Sequence, residues 1–173
     1  DANPGDSALA ARVRSYELAA KMQVSIPEAV GLDREPDRVK RLYGLDDPVT
    51  EGFGRNCLLA RRLLERGVRF VQLYHGGAFG SPRINWDAHE DIVDNHRKQA
   101  AIFDKPISGL LGDLKRRGLL KDTLFVWSTE FGRTPFTQGI GKPGRDHHQH
   151  AFTVFLAGAG LKPGFAFGQS DEF

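Results

Sequence analysis

Three short clusters in this sequence are rich in residue types that suit metal or anion chemistry. The first is Asn85-Trp86-Asp87-Ala88-His89-Glu90. The second is Ser128-Thr129-Glu130-Phe131-Gly132-Arg133. The third is Gly144-Arg145-Asp146-His147-His148-Gln149-His150. Carboxylate oxygens together with imidazole nitrogens suit Zn, Mn or Fe, and with more oxygen ligands Mg or Ca. Asp87, His89, Glu130 and His147 are therefore read as ligands of a divalent metal, with Zn, Mn, Mg or Ca as candidates. A metal held there would act as a Lewis acid and clamp an oxyanion. Arg133 and Arg145 are read as substrate-anion residues through bidentate contacts.

Each residue also has a plainer reading. A lone Asp-x-His is a weak motif. Asp87 equally suits the cap of a following helix. Glu130 equally suits an ion pair with Arg133, and both arginines equally suit neutralising local carboxylates. The His147-His148-x-His150 run is more specific, because the chain has six histidines and three fall here. Ser128 and Thr129 stand near the second cluster without a partner base that would make either a nucleophile.

The elements that must position these clusters are read from periodicity. Ser7 to Met22 has an imperfect apolar stripe and predicts a helix, with Gln23 to Pro36 irregular. A short helix starts at Pro36-Asp37 and stops at Gly44. Gly52 to Glu65 is a stronger helix, stopped by Gly67 as a glycine cap. Val68 to Tyr74 reads as a strand by its β-branched and aromatic content, followed by a Gly-rich loop, His75 to Ile84. About Glu90 to Arg117 is a long helix stopped by Gly118. Thr123 to Trp127 and Phe152 to Leu156 are nearly continuous apolar runs, as in strands buried on both faces of a parallel sheet. A long loop, Ser128 to His150, joins them. The alternation predicts parallel βαβ units with the Val68, Leu124 and Phe152 strands as neighbours. In such sheets ligands bind beyond the strand C-termini, which would bring the three clusters to one edge.

Composition bounds the rest. The chain has 173 residues, with 40% hydrophobic and 27% charged, which is enough for a packed core and argues against disorder. Lys+Arg exceed Asp+Glu by 24 − 22 = 2, so charge singles out no partner. The basic residues, such as Arg61, Arg62, Arg66 and Arg69, are scattered at helical spacing rather than gathered on a face, which argues against nucleic acid. No apolar stretch approaches the ~20 residues of a membrane helix. The single cysteine, Cys57, cannot form an internal disulfide and reads as a small buried hydrophobe. The abrupt start at Asp1 and end at Phe173 are read as those of a piece of a longer protein.

Gly67-Val68-Arg69-Phe70-Val71-Gln72, Asn85-Trp86-Asp87-Ala88-His89, Asp113 to Leu120, Glu130-Phe131-Gly132-Arg133-Thr134-Pro135, Gly144-Arg145-Asp146-His147-His148 and Leu156 to Lys162 together resemble an uncharacterised bacterial sulfatase-like family, catalogued as domain of unknown function 1501. The resemblance covers nearly the whole chain. It places the chain beside the alkaline phosphatase and sulfatase superfamily. That implies an α/β fold, a three-layer α/β/α sandwich with a mainly parallel sheet. Residues 1–173 would then be the C-terminal part of one such domain. It also implies a two-metal site at the strand ends, with Asp87 and His89 in the first ligand role. Glu130 would stand where the superfamily has Asp, and His147 where it has its last His. Two departures stand out. Phe131 occupies the position of a ligand His, so one metal position has lost a ligand. The superfamily nucleophile lies on an N-terminal strand that would precede Asp1.

The resulting expectation is a metal-dependent hydrolase of sulfate or phosphate esters acting on a small-molecule or glycan ester, with this chain alone inactive. The rival expectation is a non-catalytic descendant that binds a metal, an anion or a glycan; Phe131 favours it. The resemblance also implies an exported or periplasmic protein.

Overall fold

The computed structural model describes residues 7–77, 85–137, 141 and 143–169. The helices are α1 (Ser7–Val30), α2 (Asp37–Leu42), α3 (Glu51–Glu65) and α4 (Ile92–Arg116), with short 3-10 helices at Leu32–Arg34 and Leu119–Lys121. The strands are β1 (Leu124–Trp127), β2 (Gly132–Arg133), β3 (His147–His148) and β4 (Phe155–Gly158).

The core lies between α3 and α4. On α4, Phe103, Ile107, Leu110 and Leu114 follow one helical face, and Leu110 and Leu114 are buried. On α3, Phe53, Cys57 and Leu58 face them, and Tyr43 closes the end of the interface. Burying one such side chain stabilises by about 1.5–3 kcal/mol. The expected stops hold: Gly67 and Gly118 take positive φ of 84° and 76° just past the ends of α3 and α4. Cys57 is fully buried, as its apolar setting implied, and burial pushes its thiol up to about 12.

Charge is also buried in this core. Arg61, on the inner face of α3, is 2% exposed. Its guanidinium reaches Glu65 at 2.7 Å, Glu35 at 2.8 Å and Asp113 of α4 at 3.3 Å. Only the Glu65 contact is aligned as a hydrogen bond. Arg62 adds an ion pair to Glu35 and donates to the Glu28 carbonyl at 2.6 Å, which ties the end of α1 to α3. Arg117 reaches Asp113 at 3.0 Å, and the Tyr43 hydroxyl donates to Asp113 at 3.0 Å. The helical spacing of these arginines gave no sign that one of them faces inward.

The sheet departs from expectation. The described residues hold two antiparallel two-stranded ribbons, β1 with β4 and β2 with β3, and not the mainly parallel α/β/α sandwich. The register pairs Leu124 with Gly158 and Trp127 with Phe155. Among the described residues no helix separates β1 from β4; the connection folds into the β2–β3 ribbon and returns the chain in the opposite direction. A parallel neighbour needs a crossover that this connection does not supply. Val68 to Tyr74 is not a strand, having no ladder partner among the described residues. Nor are the apolar runs buried on both faces: Leu124, Val126, Phe155 and Leu156 are each about half exposed. The first helix runs on to Val30, through the stretch expected to be irregular. The Gly-rich loop expected from His75 to Ile84 lies outside the described residues from position 78 onward. No helix among the described residues is long and apolar enough to cross a membrane.

Candidate metal centre

The first arm of the site is the turn leading into α4. Asn95, in the first turn of that helix, is 5% exposed. Its amide oxygen accepts from the Asn85 backbone N–H at 2.8 Å, and its amide nitrogen donates to the carbonyls of Glu90 at 2.9 Å and Asp91 at 3.1 Å. One buried side chain thus ties both ends of the 85–91 turn to a rigid element. Within the turn, the Ala88 N–H donates to the Trp86 carbonyl at 2.9 Å and the His89 N–H to the Asp87 carbonyl at 3.1 Å. Asp91, not Asp87, caps α4, accepting from the Asp94 N–H at 3.4 Å. Asp87 is left free of that duty.

The second arm is the β2–β3 ribbon, whose register sets Arg133 opposite His147 and Gly132 opposite His148. Thr134 extends it: its N–H donates to the Asp146 carbonyl at 2.9 Å, and its hydroxyl accepts from the Asp146 N–H at 3.1 Å. The two arms are stitched by Arg145 N–H to the Ala88 carbonyl at 2.9 Å and Ile92 N–H to the Pro143 carbonyl at 3.0 Å. Two glycines make this closeness possible. A Cβ on Gly132 would overlap the Ala151 carbonyl oxygen, and one on Gly144 would overlap the His89 carbonyl. The glycines of the Glu-Phe-Gly-Arg and Gly-Arg-Asp-His runs are thus contact points between backbones.

Where the arms meet, three side chains converge. His147 Nε2 lies 2.9 Å from Asp87 Oδ1, His89 Nε2 lies 3.1 Å from the same oxygen, and the two Nε2 atoms are 3.1 Å apart. The residues come from positions 87, 89 and 147. Around an ion with ligand bonds of about 2.0–2.2 Å, neighbouring ligand atoms stand about 2.8–3.6 Å apart. The observed triangle fits those edges, and two imidazoles with one carboxylate form a donor set that suits Zn, Mn or Fe.

The electrostatics of the triangle are set by Arg133, whose Nη1 is 2.6 Å from Asp87 Oδ1 as an ion pair rather than an aligned hydrogen bond. Burial pushes the Asp87 carboxyl up, but the His147 and Arg133 contacts outweigh it and hold the group below its ordinary value. Asp87 therefore stays anionic, as a ligand must. The Phe131 ring packs on His147 with centroids 4.2 Å apart, and the Arg133 guanidinium lies 5.7 Å from the Phe131 centroid. His89 Nδ1 is buried with no hydrogen-bond partner; an oxygen of Asp146 lies 3.9 Å away.

The remaining expected site residues fall elsewhere. Glu130 is not in the triangle; its side chain is 59% exposed and meets Arg133 at 3.8 Å. Arg145 turns its guanidinium onto the Gly144 carbonyl at 2.7 Å. Ser128 and Thr129 donate their hydroxyls to the carbonyls of Thr129 and Phe131. The convergence at His147 arises from the ribbon and the stitched arms, not from parallel strands sharing an edge. Asn95, Thr134 and Asp146 do positioning work that was not anticipated. Their only trace in the sequence is that Thr134 and Asp146 fall inside the motif runs, while Asn95 is one polar residue near a helix start.

A family model described as "Protein of unknown function (DUF1501)" matches residues 2–173. No curated protein and no solved structure matches the chain.

Proposed function

The chain belongs to the DUF1501 family, and from the geometry of its site we propose that Asp87, His89 and His147 bind one divalent cation, Zn or Mn first, in a metal-dependent hydrolase of sulfate or phosphate esters. The observation that carries this reading is the triangle of three ligand atoms within 2.9–3.1 Å of one another, drawn from two separate arms. When bound, the cation would supply Lewis-acid polarisation of an ester oxygen. Arg133 holds Asp87 in its anionic form and presents a guanidinium beside the triangle, where it suits one face of a tetrahedral anion. The Phe131 ring packs against one side of His147. Glu130 and Arg145 are assigned only outer positions, because neither reaches the triangle.

A second reading, binding of a metal or anion without turnover, is favoured by one observation. The nearby hydroxyls of Ser128 and Thr129 are engaged with neighbouring carbonyls and not with a base. The test is metal analysis of the full-length protein purified without chelator, followed by assays of that protein on aryl sulfates and aryl phosphates with Zn, Mn, Mg or Ca. Bound metal with turnover supports the hydrolase; bound metal without turnover supports the binder. Absence of metal, with Asp87→Asn and His147→Ala behaving as wild type in titrations, refutes both.

A further inference from the structure

Trp86 immediately precedes Asp87, and its indole is held in an aromatic box. The ring lies 5.8 Å from His75, 5.4 Å from His96 and 6.0 Å from Phe103 between centroids. His75 in turn packs on Phe53 of α3 at 4.5 Å and on Phe103 of α4 at 5.2 Å. One contact in the box is directional: Trp86 Nε1 is 2.8 Å from His75 Nδ1. An indole N–H only donates, so His75 Nδ1 must accept, and the proton of the neutral ring sits on Nε2. A protonated His75 would set two donors against each other. Burial also pushes the His75 ring below its ordinary value, toward the form that accepts. The Trp86 carbonyl meanwhile takes the Ala88 N–H at 2.9 Å and faces His96 Nε2 at 3.3 Å. The position of the indole therefore fixes the peptide from which the Asp87–His89 turn is built.

We propose that His75 is a positioning residue: by accepting from the Trp86 indole, it locks the turn that presents Asp87 and His89. The inference rests on the metal reading for one of its two readouts. Removing an outer partner of a metal site weakens affinity by about 10–100-fold, and a contact acting through one intervening residue belongs at the lower end.

The experiment compares three variants of the full chain. His75→Phe keeps a ring in the box and removes the acceptor. His75→Asn removes the ring and keeps an acceptor on Cγ. Trp86→Phe removes the donor and serves if His75→Phe does not fold. The first readout is the dissociation constant for Zn, and separately Mn, added alone. The expected result is about 10-fold weaker binding for His75→Phe and Trp86→Phe, with His75→Asn within about 3-fold of wild type. The second is metal-free hydrogen exchange at the Ala88 and His89 amides, faster by about 10-fold in the two Phe variants and restored in His75→Asn. If the Asn variant is the weak one, ring packing and not the hydrogen bond positions the turn, and the inference is overturned. Equal metal binding and equal exchange in all variants overturn it too. Wild-type protein that binds neither metal while the exchange pattern holds refutes the metal reading and leaves the positioning role supported.

Discussion

Arg61→Met tests whether the buried charges of the core hold α3 to α4. Methionine keeps most of the length and packing of the side chain but removes the cation. In the wild type, Arg61 faces Glu65, Glu35 and Asp113 at 2.7, 2.8 and 3.3 Å. The side chains of Glu35 and Asp113 are each 7% exposed, so the variant leaves two carboxylates short of a partner in a place water does not reach. Breaking a buried pair by removing one member costs about 3–5 kcal/mol. Here the loss is partly met, because Glu35 keeps Arg62 and Asp113 keeps Arg117 and Tyr43. The expected loss is therefore near the bottom of that range, about 3 kcal/mol. Urea unfolding followed by far-UV circular dichroism should show a lower midpoint with an unchanged slope. The pH dependence provides a second check. Burial raises the Glu35 carboxyl, and the two arginines overcome this and leave it lowered. A lowered carboxylate gives stability that is complete above its unfolded value, about 4.3, and is lost as pH falls through the folded one. With Arg61 gone the folded value rises, so the variant loses less stability to acid than the wild type between neutral pH and the acid limit. A loss below about 1 kcal/mol at neutral pH, or an identical acid dependence, would refute the claim that Arg61 balances these carboxylates.

Asp87→Asn and His147→Ala should each abolish stoichiometric Zn or Mn binding in calorimetric titration, whereas Glu130→Ala, lying outside the triangle, should change it by less than about 3-fold. Gly132→Ala or Gly144→Ala should lower stability by about 1–3 kcal/mol and weaken metal binding, since the added Cβ must displace a carbonyl of the opposing segment; melts and titrations check both. Cys57, with its thiol pushed up to about 12, should label with a disulfide reagent only at the rate of global unfolding, and rapid labelling of folded protein would contradict its burial.

Several features of this protein are written in short stretches of sequence. The extents of α3 and α4 follow from apolar spacing and terminal glycines, and the burial of Cys57 from its apolar neighbours on one helix. Leu124 to Trp127 is extended because its residues favour that backbone. The residue types able to ligate metal are likewise visible before any fold is known. Partnership is not visible in this way. Whether an extended run becomes a strand depends on which other segment takes its backbone hydrogen bonds, so Val68 to Tyr74 and Leu124 to Trp127 read alike and end differently. Strand direction depends on the connection, and the β2–β3 ribbon returns the chain antiparallel where a long loop to a parallel neighbour was expected. Arg61 looks like the other arginines around it in the sequence until α4 brings Asp113 beside it. Of the two carboxylates proposed as ligands, Asp87 reaches the histidines and Glu130 does not. The close approach of backbones at Gly144 brings the ribbon against the turn that carries Asp87 and His89, and such contacts exist only once segments distant in sequence have met.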